Sequence, residues 1–390
     1  MLNSLILFFS YVTTFLFPLG QFARISFFNQ QINIYPYEAL MAVTLTLLIV
    51  KHRTSPFKSG ATFKSIYFFL FILLVSFLFS FRAFDTYENS IGFLYLFRLA
   101  FYLFHFVYLA THLRKFKNEN KHLFKGVSFV IFIIILTSWL QYIFYPNLRN
   151  LLYQGWDPHL YRVFGSFFEP YLAGAVLGLC LFFVYFRMFE KKGQIYIKLF
   201  VMGILFLLLM LTFSRTVYVA IILSLLVLFF RQKKYILMGV TIGAFVILAI
   251  FIPKPIGVGV QLFRTFSVDT RIQNTIEGVQ LWTKNPVFGV GYNRIRYEKA
   301  ELGLAGKYDV SHAASSYHSS FVTILVAGGV LGLLGLLGML WMLGKISSPS
   351  FYYILFLSIL SYGDNALLHS FILYMWLQLL AYEYTQSSLE

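Results

Sequence analysis

IYIKLFVMGILFLLLMLTFSRTVYVAIILSLLVLFF, residues Ile195–Phe230, is the stretch on which the fold turns. Read as one helix, its roughly 36 residues exceed even a tilted crossing, because ~20 residues cover the ~30 Å of hydrocarbon in a bilayer. Both flanks are basic, Lys191-Lys192 before and Arg231, Lys233 and Lys234 after. Clusters of that kind between apolar runs mark the cytoplasmic side. A re-entrant pair turning near Thr212-Phe213-Ser214-Arg215 satisfies both facts, and it leaves Arg215 near the outer face.

The rest of the chain has the same solvent. Hydrophobic residues make up 59% and charged residues 12%, against roughly 25% charged in soluble domains. This predicts an all-α integral membrane protein. Apolar runs near 2–19, 36–50, 65–81, 91–111, 126–145, 170–188, 195–211, 215–230, 235–252, 318–343, 350–362 and 367–383 predict about twelve transmembrane helices. The first run lacks a basic leader and a small-residue cleavage pattern, so it reads as a retained helix. Cys180 is alone and lies in an apolar run, which excludes an intrachain disulfide.

The net charge of +16 resembles a nucleic-acid signal, but it is distributed as the positive-inside rule requires. One class of loops holds Lys51, Arg53, Arg114, Lys115, Lys117, Lys121, Arg187, Lys198 and Lys345; the other holds few cations and most acids, among them Asp85, Glu88, Asp157, Glu169 and Asp364. The first class reads as cytoplasmic, with both termini on that side. Three parts follow: helices 1–9 over residues 1–252, a long extracytoplasmic (periplasmic) loop between helices 9 and 10 over 253–317, and helices 10–12 with a short tail over 318–390.

The long loop, from Pro253 to Tyr317, is the main polar interval. Asp269-Thr270-Arg271 precedes Ile272, Ile276, Val279 and Leu281, a spacing that predicts an amphipathic helix capped near Asp269 or Thr270. Asn285-Pro286 ends it, and Gly289-Val290-Gly291-Tyr292-Asn293 predicts a tight turn. Arg264, Arg271, Arg294 and Arg296 become four cations on the outer side, either solvated or anion-binding. His318 closes the loop where Phe321 opens an apolar helix with Gly328, Gly329, Gly332 and Gly335, small residues that permit close packing. It reads as a capping residue or as a base near neutral pH.

Arg215 on the outer side reads either as a snorkelling anchor or as a ligand for an anion, and a planar guanidinium suits phosphate. Arg98 lies inside the fourth span with Tyr95, Tyr102 and His105 on its face, and it reads either as facing a protein cavity or as reaching out to headgroups while His105 is hydrogen-bonded in the bundle. Aromatics near Trp156 suit either a membrane-interface belt or sugar stacking.

Four segments in series resemble the O-antigen ligase and polymerase superfamily: Arg162-Val163-Phe164-Gly165-Ser166-Phe167, Leu211-Thr212-Phe213-Ser214-Arg215, Arg271 with the Pro286–Asn293 turn, and His318 ten residues before Gly328. The resemblance spans roughly Arg162 to Gly335. Where members commonly show Pro-Asn, this chain has Glu169-Pro170-Tyr171.

The resemblance implies a GT-C-like glycosyltransferase of the bacterial cytoplasmic membrane, working on its outer face without metal or other cofactor. Its donor would be an undecaprenyl-diphosphate-linked glycan, moved whole to an acceptor hydroxyl on a lipid-linked glycan or a lipid A core, with protein Ser or Thr as the alternative acceptor. In that chemistry Arg215 and Arg271 would hold the diphosphate, with Arg98, Arg162 and Arg294 as weaker candidates. His318 would take the acceptor proton, Glu169 or Asp269 being the competing base. A secondary transporter or lipid flippase is the reading from a different class. No internal repeat supports it, and the polar residues gather at the outer face rather than mid-membrane.

Overall fold

The computed structural model describes residues 2–28, 30–58, 60–116, 119–187, 194–252, 266–304, 306 and 312–387. Pro253, Lys117, Lys191, Lys192 and Arg264, named above, lie outside the described residues. The helices are α1 (Leu2–Leu16), α2 (Pro36–His52), α3 (Ala61–Phe79), α4 (Thr86–Lys115), α5 (Asn120–Phe144), α6 (Pro170–Phe186), α7 (Ile195–Leu211), α8 (Arg215–Arg231), α9 (Tyr235–Phe251), α10 (Phe266–Trp282), α11 (Ile295–Glu301), α12 (His312–Ser315), α13 (Ser320–Gly344), α14 (Ser348–Gly363) and α15 (Ser370–Gln386). A two-stranded ribbon, β1 (Ile25–Phe27) with β2 (Ile32–Ile34), pairs Ile25 with Ile34.

The protein is a multi-pass all-α membrane protein. Helices α1 to α9 and α13 to α15 fall at the twelve predicted places. Among the described residues five are long and apolar enough to cross a bilayer: α1 with its continuation to Ala23, α3, α4, α5 and α13. Helices α6, α7 and α9 are apolar and shorter. The 195–230 stretch does divide, with α7 and α8 joined at Thr212–Ser214 and Phe213 at φ 49°.

Burial ranks the helices. α6 and α15 are covered on nearly every side and form the centre, whereas α9 buries no residue and lies at the periphery against α8. Helix ends that meet in space gather the connections into two groups. At one end sit the basic connections: Arg187 pairs with Glu383 at 2.7 Å, Arg114 donates to the Tyr384 hydroxyl at 2.9 Å, and Lys51 stands 3.2 Å from His112 Nδ1.

At the other end a kink in α13 organises the polar connections. Gly329 has φ 65° and ψ −166°, a conformation open essentially to glycine alone. It frees the carbonyls of Val326 and Ala327, which accept from the backbone N–H groups of Val290 and Gly291, each at 2.9 Å. The Ser76 hydroxyl of α3 donates to the Ala327 carbonyl at 2.8 Å. The predicted turn is therefore present, and it is pinned to α13. Glycines of α13 also admit α3 as expected, a Cβ at Gly335 coming within 3.0 Å of Ile72.

The predicted amphipathic helix is present as α10, with its apolar row turned outward. In α10 the apolar row Ile272, Ile276 and Val279 is exposed, and only Leu281 of that set is buried. The face turned inward carries Arg271, Asn274 and Gly278, and Gly278 closes on α13 so tightly that a Cβ would lie 2.5 Å from Val322. The apolar row faces away from the rest of the protein, interleaved with exposed Gln273, Thr275 and Gln280. The helix also begins before Asp269, which sits in its first turn rather than capping it.

Alanine at Gly329 would place a Cβ 2.1 Å from the Val287 carbonyl oxygen. Gly329→Ala is expected to cost about 2 kcal/mol or more, read as a fall in the thermal midpoint in detergent. Gly332→Ala, whose nearest neighbour would lie at 3.5 Å, should change it little; equal effects would show that the kink is not required.

Candidate active site

A cavity of about 680 Å³ opens where the connections opposite the basic end converge. Arg162, Glu169, Arg215, Arg271 and His318 all line it, drawn from four separate parts of the chain. The floor is closed by the α14–α15 connection, Asp364, Asn365 and His369, and the rim by Arg24, Trp156 and His159.

The α7–α8 turn places Arg215 at the first position of α8. Arg162 holds that turn: its Nε donates to the Thr212 carbonyl at 2.8 Å and its Nη2 to the Phe213 carbonyl at 3.3 Å. The backbone N–H of Val163 adds a bond to the Leu211 carbonyl at 2.9 Å. Those donors are spent on backbone, so Arg162 positions Arg215 more than it offers itself to an anion.

Arg271 reaches from α10 to Asp364, its Nη2 lying 2.9 Å from Oδ1. The Thr216 hydroxyl donates to the other oxygen, Oδ2. Asp364 thus has both oxygens engaged, and it is buried. The Arg271 charge is felt at Arg215, so two cations face one region of the cavity, with Asp364 behind Arg271 and Glu169 and Asp157 elsewhere on the lining.

His318 is exposed to the cavity, but its backbone is fixed. Its N–H donates to Asn274 Oδ1 of α10 at 2.9 Å. Ser319, the next residue, caps α13 by accepting from the Val322 N–H. Tyr317, the residue before, donates its N–H to the Thr323 hydroxyl at 3.1 Å. An imidazole at that point can take a proton from a hydroxyl brought into the cavity.

The other expected residues stand elsewhere. Glu169 lines the cavity and lies 3.0 Å from His159 Nε2, a contact that ties two rim segments together. Asp269 is exposed on the first turn of α10 and does not line the cavity, so it is not placed to act as the base. Arg294 is a correction: fully buried, it donates to the Phe77 carbonyl and the Ser80 hydroxyl at 2.8 Å each and to Asn89 Oδ1, holding α11 to α3 and α4. Arg98 is paired with Glu38 at 2.6 Å and lines a separate, adjoining cavity. The face it shares with Tyr102 is real, since Tyr102 also donates to Glu38, at 2.6 Å.

Asp364 is the main residue that sequence reasoning passed over. Its signal was available: Gly363-Asp364-Asn365 is a polar break between two apolar runs, and Gly363 is required there because a Cβ would lie 2.5 Å from the Thr216 methyl.

Burial pushes the Asp364 carboxyl from an ordinary 3.8 up to about 6, against the pull of Arg271 and the hydrogen bond from Thr216. Between those values the folded protein holds a proton that the unfolded chain has released, so stability falls as pH rises through the window. The full change is roughly 3 kcal/mol at about 1.4 kcal/mol per pH unit. Asp364→Asn removes the titration. Its thermal midpoint should gain on wild type between about pH 4 and about 6, and a difference independent of pH would contradict this assignment.

No curated protein matches the chain. Residues 200–337, which carry Arg215, Arg271, Asn274 and His318, match the family described as O-antigen ligase, and that match supports the resemblance to the O-antigen ligase and polymerase superfamily.

Proposed function

We propose that the protein is a metal-independent, inverting glycosyltransferase that moves a glycan whole from an undecaprenyl-diphosphate carrier to an acceptor hydroxyl. The observation that carries this reading is the convergence of Arg215, Arg271 and His318 on one cavity. It lies at the end of the bundle away from the basic connections, which the positive-inside rule assigns to the cytoplasm, termini included. The site then faces outward, twelve helices cross the bacterial inner membrane, and the described part of the long connection, residues 266–304 and 312–317, lies on the outer side.

In the proposed reaction the acceptor oxygen bonds to the anomeric carbon as the bond from that carbon to the diphosphate oxygen breaks. The diphosphate departs with the electron pair, and the acceptor proton passes to His318. Charge grows on the leaving group, where Arg215 and Arg271 are already fixed, so little reorganisation is needed. Asp364 keeps the Arg271 fork oriented while leaving part of it for the ligand. Direct displacement, with no covalent intermediate, inverts the anomeric centre.

A saccharide acceptor, a lipid-linked repeat or a lipid A core, is favoured over protein. The rim is built from short segments around Arg24 and Trp156, with Arg24 stacked 5.2 Å from the Trp156 ring, and it offers little surface for a folded protein.

The deciding experiment supplies purified protein with an undecaprenyl-diphosphate-linked repeat, with and without a lipid A core. A ladder from donor alone identifies a polymerase, and one shift requiring the core identifies a ligase. No product in either lane, with substrates proven competent by a known enzyme, contradicts the reading for these acceptors. Arg215→Ala and His318→Ala should each lower transfer by roughly 100-fold or more at near wild-type expression. Retained activity in both would remove them from the mechanism. Lys at position 215 should recover little if bidentate geometry matters.

A further inference from the structure

Arg294 and Arg296 stand two residues apart, and the protein treats them oppositely. Arg294 has hydrogen bonds on both terminal nitrogens and lies over the Phe77 ring at 3.7 Å. Arg296 is 8% exposed, and its Nε is sealed from solvent without a partner. Among the described residues it makes no hydrogen bond or ion pair.

Arg296 lines the adjoining cavity of about 170 Å³, with Arg98, Tyr95, Tyr292, Asn293 and Ser315. Among the described residues no Asp or Glu lines it. Arg98 is already neutralised by Glu38, so the uncompensated charge of this cavity is that of Arg296. A guanidinium stays ionised at any accessible pH. Buried charges are otherwise found paired, because leaving water is costly without a counter-charge. An anion would supply that counter-charge.

The neighbourhood says what carries that anion. Gln30, Asn33, Ser316, Asn365 and His369 line both this cavity and the main one, so a molecule in one continues into the other. The walls mix amides, hydroxyls and tyrosine rings, groups that pair with sugar hydroxyls and cover sugar faces. The volume is below the ~300 Å³ of ordinary small-molecule sites and suits a single ring.

We propose that the side cavity binds the anionic group of an acidic sugar, a carboxylate or a phosphate ester, with Arg296 as its ligand. This rests on the saccharide reading of the main cavity, whose glycan supplies the neighbouring unit.

Binding tests it without any transfer assay. Full-length protein in detergent carrying Arg215→Gln, which removes a cation from the main cavity, is titrated with methyl glucuronoside, glucose 6-phosphate and neutral methyl glucoside by ligand-observed NMR. At least one acidic sugar is expected to bind roughly tenfold or more tighter than methyl glucoside, and adding Arg296→Gln should erase the preference. Which acid binds separates carboxylate from phosphate. Equal binding of acidic and neutral sugars, no measurable binding of either acid, or a preference that survives Arg296→Gln overturns the proposal. If that variant does not fold, Arg296→Lys replaces it: the preference should fall as the planar fork is lost, and an unchanged preference overturns the proposal. Failure of transfer with acidic-sugar binding intact would count against the glycosyltransfer reading alone.

Discussion

A buried carboxylate governs the polar end of this bundle. Asp364 sits at the end of α14, and burial works against its charge. Arg271 from α10 and Thr216 from α8 occupy its two oxygens, so one side chain joins three helices that are far apart in sequence. That junction answers a problem the proposed chemistry creates. Arg215 and Arg271 repel each other when no anion is bound, yet a diphosphate site needs both in place beforehand. A counter-charge behind Arg271 offsets the repulsion without filling the space in front.

Backbone satisfaction is the second constraint. In hydrocarbon every N–H and C=O needs an internal partner, so a kinked α13 is tolerated only because its freed carbonyls are taken by residues 290 and 291 and by Ser76. The same pairing fixes the 286–293 turn against α13, close in sequence to Arg294, at the N-cap of α11, and to Arg296 within it. Hydrogen bonds made necessary by the membrane thereby fix the course of a long connection that has little core of its own.

The sequence made some of this legible and not the rest. Helix positions could be read because an apolar run of crossing length, bounded by polar breaks, satisfies its backbone in lipid only as a helix. Arg215, Arg271 and His318 could be read because polar groups at apolar boundaries stand out. Partners could not: Glu38 lies 60 residues from Arg98, and nothing in one chain's local pattern announces a pair at that separation. The inward face of α10 was not legible, because periodicity gives a face but not its solvent. Ile272 and Ile276 look like a core row if the other side is water, and like a lipid row if it is not. Arg294 and Arg296 are indistinguishable by spacing alone; packing made one a brace and the other a cavity wall.

The matched segment, residues 200–337, holds the three residues proposed for the chemistry but not the means of holding them. Arg162, which clamps the turn bearing Arg215, precedes it, and Asp364, which orients Arg271, follows it. The walls around Arg24, Trp156 and His159 also come from outside. A common reaction within the superfamily would fit a common segment, while the preorganisation of the cations and the shape of the proposed saccharide site depend on the flanking helices. Substrate choice would accordingly vary through wall residues such as Arg24, Trp156 and His159, where a change alters the cavity lining and leaves Arg162, Asp364 and the cations they hold in place.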